Sequence, residues 1–236
     1  MRKIFSKRSV IVFVFASLMG STIYLAVRIL LAPSALPEDG EIVRIKSDYT
    51  LMFGQCLLGT VAMILPSVIT KRINLTIPSN MIFVYTLFMY CAVYLGEVRY
   101  FYYHVPHWDT LLHTFSGAML GALGFSVICL LNKTDSIPFV LSPMFVAVFS
   151  FCFAVSLGVF WEIYEFTLDF LFDMNMQKYA LESGEQLVGQ YALIDTMKDL
   201  MVDCIGAFVM SGIGYVSLKL DKGWIDKMII TKNVKK

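Results

Sequence analysis

The sequence predicts an all-α fold, a polytopic membrane bundle of six transmembrane helices with both termini cytoplasmic. Three observations carry that expectation. The first is composition: of 236 residues 58% are hydrophobic and only 16% charged, with a mean hydropathy of +0.70. A soluble domain is about 45–50% apolar and about 25% charged, so the surplus apolar surface calls for the lipid bilayer as its solvent. The second is the presence of six apolar runs of spanning length. The third is a lopsided distribution of lysine and arginine between the loops. A net charge of +1 argues neither for nor against a nucleic-acid partner; the partner expected is the lipid bilayer, and no nucleic acid.

A spanning helix needs about 20 mostly apolar residues. The first run, Ser9 to Ala32, follows Arg2, Lys3, Lys7 and Arg8. It is too long for a signal-peptide core and has no small-residue cleavage site, so it reads as a retained span. The second runs from Thr50 to Thr70 and the third from Asn80 to Val98, with Glu97 and Arg99 at its far end. The fourth, Thr110 to Leu131, opens on Asp109 and His113 and carries Gly117, Gly121 and Gly124. The fifth runs from Phe139 to Trp161, with Glu162 at its boundary. The sixth, Asp199 to Leu218, contains Asp203, Gly206, Gly212 and Gly214. The glycines read as close-packing contacts between helices. No linker separates domains, so residues 1–236 are expected to form one membrane domain. The five cysteines all fall in apolar runs without a CxxC pair; neither a disulfide framework nor a cysteine metal site is expected.

Cytoplasmic loops are enriched in lysine and arginine. One side carries the N-terminal cluster, Lys71, Arg72, Lys133 and the lysines of the tail, whereas the other carries chiefly Arg44, Lys46, Arg99 and Lys178. Both termini are therefore placed inside. The tail segment Trp224–Ile230 reads as a basic anchor at the interface.

Counting depth from the cytoplasmic ends brings ionisable residues of four helices to one plane at the outer face: Glu97 and Arg99, Asp109 and His113, Glu162 and Glu165, and Asp195, Asp199 and Asp203. Asp109 and His113 are spaced i, i+4, as are Asp195, Asp199 and Asp203 in turn, so each set shares a helix face. Glu162, Glu165 and Asp169 form a third stripe. Ionisable groups within spans usually face a bundle interior or cavity, which predicts a shared extracytoplasmic pocket. Asp109, Asp195 and Asp199 are placed at helix starts, where carboxylates suit the dipole; Glu162 and Glu165 are placed at a helix end that disfavours them. The last pair therefore needs a partner: Arg99, a proton or a metal ion.

The strings Asp109-x-x-x-His113-x-x-x-Gly117, Trp161-Glu162-x-x-Glu165 and Asp195-Thr196-x-x-Asp199 followed by Gly206-Ala207 resemble the YjdF-type bacterial inner-membrane proteins. More distantly they resemble the VanZ-like superfamily, whose founder is associated with teicoplanin resistance. This chain is more acidic than VanZ at Glu165 and Asp203. The resemblance spans Glu97 to Leu218 and implies a multi-pass protein of the bacterial cytoplasmic membrane.

Two functions are consistent with the residues. One is an enzyme acting on a lipid or lipid-linked head group, with a divalent metal ion on His113, Glu162, Glu165, Asp199 and Asp203, and with His113, Glu162 and Asp199 as the catalytic set. Oxygen and imidazole ligands suit zinc, manganese or magnesium. The alternative is a non-catalytic protein whose acidic pocket binds an envelope ligand or partner; proton-coupled transport ranks behind both. The cations available to the pocket are Arg99 and Lys198.

Overall fold

A computed structural model of the chain describes residues 6–34, 44–132, 141–181 and 184–232. Six helices in it are long and apolar enough to cross a membrane, and the chain is an all-α multi-pass membrane protein. They are α1 (Lys7–Leu31), α2 (Lys46–Ile73), α3 (Ser79–Val98), α5 (Trp108–Asn132), α6 (Pro143–Phe172) and α7 (Ile194–Lys219), with a short α4 (Phe101–His104) between α3 and α5.

Several ends differ from the hydropathy reading. Helix α6 starts at Pro143, because the Ser142 hydroxyl caps it by accepting the Phe145 N–H and proline suits the first helical position. It then continues to Phe172, so Glu162 and Glu165 lie inside the helix and not at its end. Helix α7 begins at Ile194, led in by a 3₁₀ turn over Gly189–Leu193. Asp195 falls in its first turn, whereas Asp199 lies a turn deeper. Helix α3 turns π-helical over Tyr90–Val98. The ring of Tyr102 lies where a Cβ on Gly96 would be.

The helices form two compact units. Unit 1 comprises Met1–Ile73 and Met81–Trp108. Its core is a stripe of α1 (Val14, Leu18, Leu25) against Tyr49, Met52 and Cys56 of α2 and Met89 and Val93 of α3. The opposite side of α1, with Val12, Phe13, Ile23 and Leu30, is exposed and apolar, as a lipid-facing side must be.

Unit 2 comprises Asn74–Asn80 and Asp109–Lys236. Helices α5 and α7 run parallel: Gly117 meets Asp203, Gly121 meets Ala207, and Phe125 meets Gly214. Helix α6 runs antiparallel to α5, with Gly124 against Phe153 and Ser150. Small residues let backbones approach closely in membrane bundles, and Gly117 and Gly206 mark the tightest crossing. Gly212 does not belong to this set, since a side chain there would meet nothing.

The tail is not a free interfacial anchor. Ile225 and Ile229 are buried against Phe125, Ile128, Cys129 and Val146. The Ile230 N–H donates to Ser126 Oγ at 2.6 Å, and Thr231–Lys232 pairs antiparallel with Leu75–Thr76. Ile229→Ala is expected to cost about 2–5 kcal/mol, as for other buried isoleucines. Hydrogen exchange should then rise in residues 225–232 while α5 and α7 keep their protection. Equal loss of protection in the tail and in α5 would show that the tail is not a separate clasp.

Candidate functional site

The geometry of unit 2 explains why its carboxylates gather. Parallel α5 and α7 bring two N-terminal ends to the same side, and antiparallel α6 sends its later half to meet them. Helix N-termini carry partial positive charge that favours anions. The site therefore forms where Asp109 and His113, Glu162 and Glu165, and Asp195, Asp199 and Asp203 leave their helices.

His113 is the hub. Its Nδ1 lies 3.3 Å from Asp203 Oδ2, while Nε2 faces Asp109 Oδ1 at 3.6 Å and Asp199 Oδ2 at 3.9 Å. Asp203 is itself fixed by Ser116, whose Oγ lies 2.9 Å from its Oδ1 and 2.9 Å from the His113 carbonyl. An ionised carboxylate only accepts hydrogen bonds, so Nδ1 carries a proton towards Asp203, while Nε2 is turned to the other two carboxylates. Asp199 and Asp203 are 2% and 3% exposed. Gly158 of α6 makes room for this arrangement, since a Cβ there would lie 2.7 Å from Asp203 Oδ2. Asp109, His113 and Asp199 each offer a ligand atom within 4.8 Å of the others.

Along α6, Glu165 Oε1 accepts the Trp161 indole N–H at 2.9 Å. Glu162 is 4% exposed, and its Oε1 is buried without a hydrogen-bond partner. Its Oε2 lies 3.4 Å from Gln177 Nε2, which also donates to Thr196 Oγ1 at 2.8 Å. Asp169 accepts the Met176 and Gln177 N–H groups at 2.7 and 2.9 Å, and so pins the strap that joins α6 to α7.

That strap supplies the cation the sequence reading missed. Lys178 pairs with Asp109 Oδ2 and, at 3.0 Å, with Asp195 Oδ1. Burial works against its charge, but Asp109 and then Asp195 outweigh that and hold its pKa above the usual lysine value. Lys198, the lysine expected to serve, is exposed on α7. Glu97 and Arg99 belong to unit 1; Arg99 closes the π-helical stretch with its N–H on the Tyr94 carbonyl. Lys178 and Gln177 had no periodic signal to reveal them. They are reached through a loop, with Lys178 at φ 48°.

From residue 40 to residue 220 the chain matches the family described as "Predicted membrane protein (DUF2238)". It belongs to that family. The match takes in every residue of the site. A Thermotoga maritima protein named "Uncharacterized protein" is 28% identical over 191 residues, covering 80% of this chain and 88% of that one. No solved structure matches the chain.

Proposed function

We propose that this membrane protein holds a divalent cation on Asp109, His113 and Asp199, and uses it to act on a lipid or lipid-linked head group at the outer face of the bacterial cytoplasmic membrane. One observation carries the reading: the two nitrogens of His113 have different surroundings. Nδ1 meets Asp203, and Nε2 faces two further carboxylates. Metal-ligating histidines are held in this way, with a carboxylate on the second nitrogen to fix tautomer and orientation. Asp203 is thus assigned the orienting role and Asp109 joins the ligands. Glu162, with its unpartnered buried oxygen, and Glu165 are the next oxygens available to the site.

Two donors about 2.1 Å from one zinc ion stand at most about 4.2 Å apart, so loading draws the three side chains slightly inward from their 4.8 Å limit. A bound zinc, manganese or magnesium ion polarises a phosphoryl or carbonyl oxygen and acidifies a bound water. The protein's share is to aim the imidazole through Asp203 and to keep Asp199 and Asp203 out of water. Protein stripped by chelator and then dialysed against zinc, manganese or magnesium is expected to retain about one equivalent of one of them. Retention of none by the wild type would end this reading.

The Lys178 pairing favours a second reading: a non-catalytic polar cluster, already neutralised from within, that binds an envelope ligand as the VanZ resemblance implies. Lys178→Met separates the two. Loss of charged hydrogen bonds costs about 1–3 kcal/mol, and a cation centre relieved of its internal competitor should recover that stability when metal is added. A loss that metal does not recover supports the internal cluster. Because the lysine pKa is raised in the folded protein, its contribution is complete below the ordinary value of about 10.4 and fades only above it. The difference between wild type and Lys178→Met should therefore stay constant from about pH 7 to 9 on the lysine's account.

A further inference from the structure

We propose, resting on the cation reading above, that Lys178 is a latch on the same site: its ammonium group ties the strap across the mouth of the carboxylate cluster, and binding of the divalent cation releases it.

The turn of the strap over Asn175–Ala180 is built to present this side chain. Asn175 brackets it, with Oδ1 accepting the Ala180 N–H at 3.0 Å and Nδ2 donating to the Ala180 carbonyl at 2.7 Å. Inside the bracket, Asp169 holds the Met176 and Gln177 N–H groups. Lys178 then takes a left-handed backbone at φ 48°, a conformation uncommon outside glycine that persists where surrounding contacts impose it. Gln177 reaches Glu162 of α6 and Thr196 of α7. Lys178 reaches Asp109 of α5 and Asp195 of α7, and so ties the strap across the starts of both helices. Side-chain exposure locates the mouth. It falls from 31% at Lys178 to 20% at Asp109 and Asp195, then to 11% at His113 and 3% at Asp199. The way in from water to Nε2 of His113 and to Asp199 therefore passes Lys178.

The two oxygens of Asp109 divide its duties. Oδ1 faces His113 Nε2 at 3.6 Å, while Oδ2 holds Lys178. A divalent cation on Oδ1 has the ammonium group across the width of a single carboxylate. Like charges that close repel strongly where burial limits screening. Asp195 offers the ammonium a second position, because both its oxygens already lie near Nζ, at 3.0 and 3.3 Å. Lys178 thus has two places, on both carboxylates before the cation binds and on Asp195 alone afterwards. Letting go of Asp109 unties the strap from α5 and clears the side on which a head group enters. The coupling is reciprocal: a cation that expels Lys178 binds more tightly once Lys178 is gone.

The test is acylation of lysines by a water-soluble reagent, on full-length protein in detergent, read by peptide mass spectrometry. Chelator-stripped protein is compared with protein loaded with zinc, manganese or magnesium, and metal content is measured on the same samples. Lys178 is expected to react about tenfold faster once metal is bound, within the usual range of coupling between sites. Lys198, exposed on α7, should keep its rate. Asn175→Ala, which loosens the turn and leaves every charge in place, should speed Lys178 labelling in stripped protein. Lys178→Met should raise metal affinity about tenfold, with its thermal midpoint reporting that unit 2 is folded, and Lys178→Arg should not raise it. Metal retained with Lys178 labelling unchanged would overturn the latch and leave the cation reading standing. No metal retained would overturn both. Equal metal affinity in wild type and folded Lys178→Met would also overturn the latch.

Discussion

Gly206→Val is expected to prevent unit 2 from folding. A Cβ at this position would lie 2.0 Å from the Thr114 carbonyl oxygen and 2.9 Å from the Ala118 nitrogen. Both are backbone atoms of α5, so no rotamer change relieves the clash and the helices must separate. Gly117 answers from the other helix, where a Cβ would fall 2.3 Å from the Asp203 carbonyl oxygen. Ordinary overpacking costs about 1–3 kcal/mol; a contact this short against backbone should exceed that range and leave little of a fold stable by about 5–15 kcal/mol. Separation at this crossing also pulls Asp203 away from His113, so the site is lost with the packing. Gly212→Ala, seven tenths of the way down α7 and facing open space, is the control. It should be neutral, or stabilising by up to about 1 kcal/mol through helix propensity. The measurement is the yield and thermal midpoint of monodisperse protein in detergent. A Gly206→Val protein that purifies like Gly212→Ala would mean that α5 and α7 do not cross here.

The spans were legible because about 20 apolar residues in a row have one economical structure in a bilayer. Their ends were less legible where carboxylates sit inside a helix. A hydropathy count takes Glu162 as the edge of the hydrocarbon, yet α6 continues to Phe172, because Glu162, Glu165 and Asp169 are buried within unit 2. Much of the site was legible for a related reason. Spacings of four set Asp109 with His113, and Asp195 with Asp199 and Asp203, on single helix faces, and parallel helices then need only a common depth to bring the sets together. Lys178 lies 69 residues from Asp109 and 17 from Asp195, on a strap whose path depends on Asp169 holding two backbone N–H groups. No periodicity encodes that path. Gly212 shows the opposite error: a glycine in a membrane helix reads as a packing contact whether or not a neighbour is there.

The second large effect concerns the order of action within the proposed cation centre. His113→Ala is expected to weaken metal affinity the most while leaving a measurable residue on the carboxylates, and Asp203→Asn to weaken it about 10–100-fold, the usual consequence of losing the carboxylate behind a ligating histidine. Asparagine keeps the shape of the side chain but can present an N–H to Nδ1, which favours the tautomer that places the proton on Nε2 and blocks the metal. The double variant is the decisive one. If Asp203 works only through His113, removing both should cost no more than removing His113 alone, because residues acting as a unit are strongly non-additive. If Asp203 were instead a ligand in its own right, its loss would still register in the His113→Ala background. Affinities for zinc, manganese and magnesium, measured by calorimetry on chelator-stripped protein, supply the cycle. Unchanged affinity in His113→Ala would remove the imidazole from the site and leave Asp109 and Asp199 as counter-ions in a structural cluster with Lys178.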